Sequence, residues 1–225
     1  MPATKRSRPS KGFSVPPKTT EQKREALEIQ KLELEVAHLR VKAEIQIADF
    51  QRQQATADAA RVYPLTGEVS SLSVKYAIDR ITEWFREDPE SPIEIVINSG
   101  GGSVFAGLAL FDYIQMIRGA GCPVTTTAVG MAASMAGILL QAGSTRVMSE
   151  HAYLMIHEAS TSTWGKISEL RDEVELIDKL EERMLTILAE RSKMSAKQIK
   201  AKSARRDWWL DSSEALKLGF VDEVR

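Results

Sequence analysis

The chain has 225 residues, 43% of them hydrophobic, with 30 Lys and Arg against 31 Asp and Glu for a formal net charge of −1. That length and apolar content allow one large domain, or a domain with an appendage, and the balanced charge excludes a global field that would draw the protein to nucleic acid. A single cysteine, Cys122, excludes an internal disulfide.

No apolar run is long enough to span a bilayer, and the basic N-terminus is followed by no apolar signal-peptide core. A cytoplasmic protein with no membrane partner is therefore expected. Residues 1–20, MPATKRSRPSKGFSVPPKTT, hold prolines, basic and small polar residues but no acid, and read as a disordered basic tail. Residues 21–60 hold no Gly or Pro and are rich in Glu, Lys, Gln, Ala and Leu, which predicts one long helix. At helical spacing, Ile29, Leu32, Val36, Leu39, Ala43, Ile47 and Phe50 form one stripe. Leu27, Leu34, Val41, Ile45 and Ala48 form a second on the opposite side. A helix lying on one domain needs one apolar face; two suggest a further contact with a neighbouring subunit or partner.

The texture changes at Arg61, and residues 61–225 read as one α/β domain in which strands alternate with helices. RVYPLTGEV suggests a strand and turn, SLSVKYAIDRITEWFRED an amphipathic helix ended by Pro89, and IEIVINS a short apolar strand. The run Gly100-Gly101-Gly102 is expected as a turn feeding a helix that stops at Gly119. PVTTTAVG is a β-branched strand, and ASMAGILLQAG, from Ala133, a helix closed by Gly143. TRVM and AYLMIH are strands around the turn at 149–151. Residues 167–191 form a long helix with Ile167, Leu170, Val174, Ile177, Leu180, Met184 and Leu188 on one face. SAKQ (195–198) and DSSE (211–214) are capping boxes that open short helices.

Ser134 stands alone among small residues and methionines in VGMAASMAG. Two readings are open: a filler hydroxyl at a tight packing point, or a nucleophile on a strand-to-helix turn. A serine nucleophile needs a base, and the chain has three histidines. His38 lies in the N-terminal helix and His151 in a polar turn, while His157 ends the strand AYLMIH, where a side chain can face a cleft. Asp207, in Arg-Arg-Asp-Trp-Trp, is the candidate third carboxylate, expected to be partly buried and kept ionised. The glycine run and the start of the helix after Ser134 can offer backbone N–H donors to an oxyanion. The glycines match neither a P-loop nor G-x-G-x-x-G. No His-x-x-x-His or Cys-x-x-Cys pair suggests zinc, so no metal or other cofactor is expected.

From Arg61 to Val224 five segments in order resemble the Clp protease proteolytic subunit family, ClpP. They are RVYPLTGEV, INSGGGSVFAGLALFDYIQ, VGMAASMAGILLQAG, YLMIHEAS and RRDWWLDSSEALKLGFVDEV. The resemblance implies a ClpP/crotonase-like spiral of repeated β-β-α units, here with a long N-terminal helical extension. It implies Ser134 as nucleophile, His157 as general base and Asp207 as orienting acid. Gly102 and Met135 are implied as the oxyanion N–H donors, with Gly101 and Ser103 at the substrate. The implied reaction is hydrolysis of peptide bonds in unfolded or partner-delivered chains, inside a homo-oligomer of heptameric rings joined through the handle helix 167–191. An AAA+ unfoldase is the implied partner. Three departures stand out: Gly100 replaces the family's proline, Glu158 follows His157, and residues 1–60 replace a short N-terminal segment. The extension resembles phage and prophage ClpP-like head maturation proteases, which implies a capsid or scaffold partner instead. A crotonase-fold acyl-CoA enzyme is a rival that would not need the three triad residues together, and a catalytically dead ring subunit is another.

Overall fold

A computed structural model of the protein describes residues 19–160 and 164–225; the tail reading, apart from Thr19 and Thr20, falls outside the described residues. The chain divides into two compact units, Met1–Gln54 and Ala55–Arg225. Helix α1 (Thr20–Ala60) runs for 41 residues. Between Leu27 and Gln46 every side chain is exposed, so both apolar stripes are uncovered over that stretch. Ile47, Ala48 and Phe50 lie outside the described side chains. Among the described residues no helix is long and apolar enough to cross a membrane.

The second unit is an α/β domain on a seven-stranded sheet. Strands β1 (Val62–Val69), β2 (Ile93–Gly102), β3 (Val124–Ala133), β4 (Thr145–Met148) and β7 (Glu223–Val224) lie side by side in that order, each pair parallel. Parallel neighbours require crossovers. Helices α2 (Ser71–Glu87) and α3 (Val104–Gly119) supply the first two. Val74, Ala77, Ile81 and Trp84 form the buried face of α2, at helical spacing. Ser70 caps it, its hydroxyl accepting from the Ser73 N–H. On β2, Ile93, Ile95 and Ile97 alternate into the core. Cys122 is buried, and burial pushes its thiol up from the ordinary range.

Strand β3 bends. Thr125–Ala128 pair with β4, whereas Met131–Ala133 pair with β5 (Tyr153–Ile156). Gly130 stands between the two halves with φ of 72°, a value that favours glycine. Strand β6 (Trp208–Asp211) then pairs antiparallel with β5. The helix expected from Ala133 therefore starts later: α4 covers Met135–Leu140, because Met131, Ala132 and Ala133 find ladder partners in β5. The expected glycine turn is likewise strand, since β2 runs through Gly102 alongside Val69. A Cβ on Gly102 would sit 2.3 Å from the Val69 carbonyl oxygen, and one on Gly101 2.7 Å from both the Ala133 oxygen and the Ser134 Cβ. Nothing lies within 4 Å of such a Cβ on Gly100.

Helices α5 (Ile167–Glu190), α6 (Ala196–Ser203) and α7 (Ser212–Leu218) complete the domain, with side-chain capping boxes at Ser195 and Asp211. Only the C-terminal turns of α5 are buried, at Leu185, Ile187 and Leu188; Ile167 and Val174 remain exposed. Arg146, on β4, ties these parts together. Its Nε donates to Asp222 Oδ2 at 2.9 Å and its Nη2 to Oδ1 at 2.5 Å. Nη1 donates to Gln141 Oε1 and the Gly219 oxygen, both at 2.9 Å, and to the Arg191 oxygen just beyond α5. Burial alone would raise the Asp222 carboxyl, but the hydrogen bonds from Arg146 outweigh it and hold Asp222 below 3.8.

Arg146→Met leaves Asp222 and three acceptors without their donor, so thermal or urea unfolding should show a loss of about 3–5 kcal/mol. A depressed folded-state value means that ionised Asp222 adds stability in full above its unfolded value and loses it as pH falls through the folded one. The acid limb of the stability curve below about pH 4 should therefore be flatter in Asp222→Asn than in wild type. Gly102→Ala should lower stability by about 2 kcal/mol or more, as overpacking against backbone does; Gly100→Ala should leave it within about 0.5 kcal/mol. Melting temperatures of the two variants side by side check this.

Candidate active site

The ladder registers bring the site together. Ala133 is paired with Met155 and Ile156 with Trp208. One step further along each strand, Ser134, His157 and Asp207 leave the sheet at the same place. The Ser134 N–H donates to the Met155 oxygen at 2.9 Å, which ties the turn to β5. Ser134 has φ of 55° and ψ of −125°. A non-glycine residue there stores about 1–3 kcal/mol of backbone strain, retained because β3 on one side and α4 on the other fix its neighbours. The turn projects the Ser134 hydroxyl out of the sheet, 2.7 Å from His157 Nε2.

Asp207 Oδ1 is 3.9 Å from His157 Nδ1, beyond hydrogen-bond length. Its side chain is 58% exposed, against 26% for His157. The partly buried carboxylate expected between arginines and tryptophans is thus a solvated one. The physical reason lies in its neighbours: Trp208 turns in against Phe220, ring centroids 6.0 Å apart, and Arg206 reaches back to the Lys202 oxygen, so neither covers Asp207. Glu158 is half-buried, and His38 and His151 are exposed.

The two expected oxyanion donors, Gly102 and Met135, lie at the end of β2 and the start of α4. Gly102 lines the cavity beside the hydroxyl. Met135 opens α4, whose first N–H groups have no intrahelical acceptor. Its side chain is buried against α3 at Gly107, where a Cβ would come within 2.3 Å of Met135 Cγ. Gly101 packs beneath the serine turn, and its N–H is taken by Ser99 Oγ at 3.1 Å. The Ser103 hydroxyl is occupied as the cap of α3, accepting from the Ala106 N–H.

A cavity of about 110 Å³ adjoins Ser134 and His157. Its apolar walls are Val104, Ile138, Ile156, Met184, Leu185 and Leu188, drawn from α3, α4, β5 and α5. At its edge Glu181 pairs with Lys200 at 3.3 Å. Sequence reasoning did not assign these residues to a site. Met184 and Leu188 were legible only as part of the apolar stripe of the long helix. Among the described residues no group of three or more His, Cys, Asp or Glu side chains converges as a ligand set. The chemistry within reach is that of a hydroxyl held against an imidazole beside an apolar pocket: proton abstraction and nucleophilic attack.

Comparison with known proteins gives a consistent result. The model of the Clp protease family matches residues 49–225. Two ATP-dependent Clp protease proteolytic subunits, from two strains of Bacteroides fragilis, are each 40% identical over 139 residues, or 61% of this chain. The match spans 65% of one relative and 61% of the other, so it covers less than two thirds of their length. With the α/β sheet and the five segments in family order, the extent of the match establishes that this chain belongs to the Clp protease family.

Proposed function

We propose that this protein is a serine endopeptidase acting through Ser134, His157 and Asp207. The observation that carries the reading is the 2.7 Å contact between Ser134 Oγ and His157 Nε2 at the mouth of an apolar cavity. In the proposed cycle His157 takes the Ser134 proton as the hydroxyl attacks a peptide carbonyl. The Gly102 and Met135 N–H groups stabilise the oxyanion, the protonated imidazole gives its proton to the leaving amine, and water then hydrolyses the acyl-enzyme by the same route. Asp207 orients the imidazolium from the solvent side, and a movement of about 1 Å brings it into hydrogen-bond range. The apolar walls favour an apolar side chain next to the scissile bond.

A homo-oligomeric chamber belongs to the same reading. The exposed Ile167 and Val174 on the free end of α5 support a contact with another copy there. The relatives are named ATP-dependent, whereas these 225 residues hold no G-x-x-x-x-G-K-[ST] sequence. An AAA+ partner that uses ATP and delivers unfolded chains is part of the same proposal.

A fluorophosphonate probe followed by mass spectrometry tests the nucleophile: the adduct is expected on Ser134 and absent in Ser134→Ala. Labelling that persists in that variant, or none in an assembled wild-type protein, would overturn the reading. In peptide hydrolysis, Ser134→Ala and His157→Ala should each cost at least about 10³-fold in kcat, and Asp207→Ala distinctly less, as the orienting member of such a triad does. The exposure of Asp207 reduces its share further.

A further inference from the structure

The stretch of α1 from Leu27 to Gln46 carries a heptad that the catalytic reading does not use. Ile29, Val36 and Ala43 recur every seven residues, and Leu32 and Leu39 fall three residues after the first two. This 3-4 alternation is the seam of a coiled coil. Along it Ile29, Leu32, Val36 and Leu39 are 48–60% exposed. The opposite line, Leu27, Leu34 and Val41, repeats every seven residues, but the positions four residues on are Lys31, His38 and Ile45, apolar only at the last, so it makes no second heptad seam. The first seam needs an occupant with the same period, and charges decide which way it runs. Glu28, Glu33, Glu35, Arg40 and Lys42 flank the seam. In a parallel pair Glu35 meets Arg40 of the partner subunit, but Glu28 meets Glu33 of the partner subunit, so attraction and repulsion cancel. In an antiparallel pair with Leu32 layered on the partner's Ala43 and Val36 on the partner's Leu39, two favourable contacts arise: Glu33 with the partner's Arg40, and Glu35 with the partner's Lys42. Twofold symmetry makes each occur twice. Glu28, the remaining flanking acid, falls at the end of the seam. The large-on-small Leu32–Ala43 layer also suits antiparallel packing, where unlike seam positions face each other.

We propose that α1 docks antiparallel on α1 of a second copy of this chain through the seam Ile29, Leu32, Val36, Leu39 and Ala43. The contact is isologous and closes on itself, so it joins copies in twos. It does not depend on the hydrolase reading, and it needs no other partner.

Cysteine cross-linking of the full chain tests it, with Cys122 replaced by Ala. Leu32→Cys and Ala43→Cys are placed in two differently tagged copies that are co-expressed, purified and mildly oxidised. Leu32 is exposed, and Ala43 lies on the exposed stretch of the helix, so both variants are expected to fold. In the antiparallel register residue 32 adjoins the partner's residue 43, whereas each of these positions is about 16 Å along the axis from its own copy. That is beyond disulfide reach, which ends near 7 Å between Cα atoms. The expected result is a mixed dimer on a non-reducing gel, bridged from position 32 of one copy to position 43 of the other, with each variant alone giving none. Self-linking of each variant to the same extent as the mixture means a parallel seam and overturns the proposal, as does the absence of any linked dimer. Fluorophosphonate labelling of Ser134 in the same samples is read separately, so failure of the helix contact and failure of the hydrolase reading are distinguishable.

Discussion

Everything at the candidate site depends on the register of three short strands. Ala133 opposite Met155 and Ile156 opposite Trp208 make Ser134, His157 and Asp207 the next residues out of one ladder. Side chains alternate faces along a strand, so a one-residue slip of β5 on β3 turns the imidazole away from Ser134, and a one-residue slip of β6 on β5 turns Asp207 away from the imidazole. The hydrogen bond from the Ser134 N–H to the Met155 oxygen is the last rung of that ladder. It joins the strand pairing to the strained serine, so the geometry of the sheet is handed directly to the Ser134–His157 contact.

The remainder of the domain keeps this corner rigid. Small residues let backbones approach where side chains would collide: Gly101 under the serine turn, Gly102 against β1, and Gly107 under the Met135 side chain. Arg146 does the complementary task with polar contacts. One guanidinium holds the C-terminal segment through Asp222, the end of α5 through the Arg191 oxygen, and α4 through Gln141. Helix α4 follows the serine, and α5 walls the cavity, so the same side chain braces two borders of the site.

How much of this was legible in the sequence differed by kind of feature. Caps and amphipathic faces were legible, because they follow from local rules: Ser195 and Asp211 open α6 and α7, and Val74, Ala77, Ile81 and Trp84 mark the inner face of α2. The chemical types at Ser134 and His157 were legible as candidates, but residue spacing alone carries no information about a contact 23 positions apart. The bend in β3 was not legible. Nothing in Val129-Gly130-Met131 says that the two halves of one strand serve two different neighbours, and so the helix was placed too early. The exposure of Asp207 was not legible either, because the tryptophan beside it packs on Phe220 only once α7 has folded the chain back between them. The walls of the cavity come from four elements, and only tertiary packing assembles them.

The single thiol and the methionines around the site set how the protein meets an oxidant. Cys122 is buried and its thiol is pushed up, so little reactive thiolate is present. Ser134, the proposed nucleophile, carries no sulfur. Met184 differs: it is only partly buried and lines the apolar cavity. Its conversion to the sulfoxide would put a polar group into that wall. Met116 and Met131 are more exposed thioethers but do not line the cavity, so oxidation at Met184 is the event that changes the pocket wall while leaving Ser134 and His157 chemically intact.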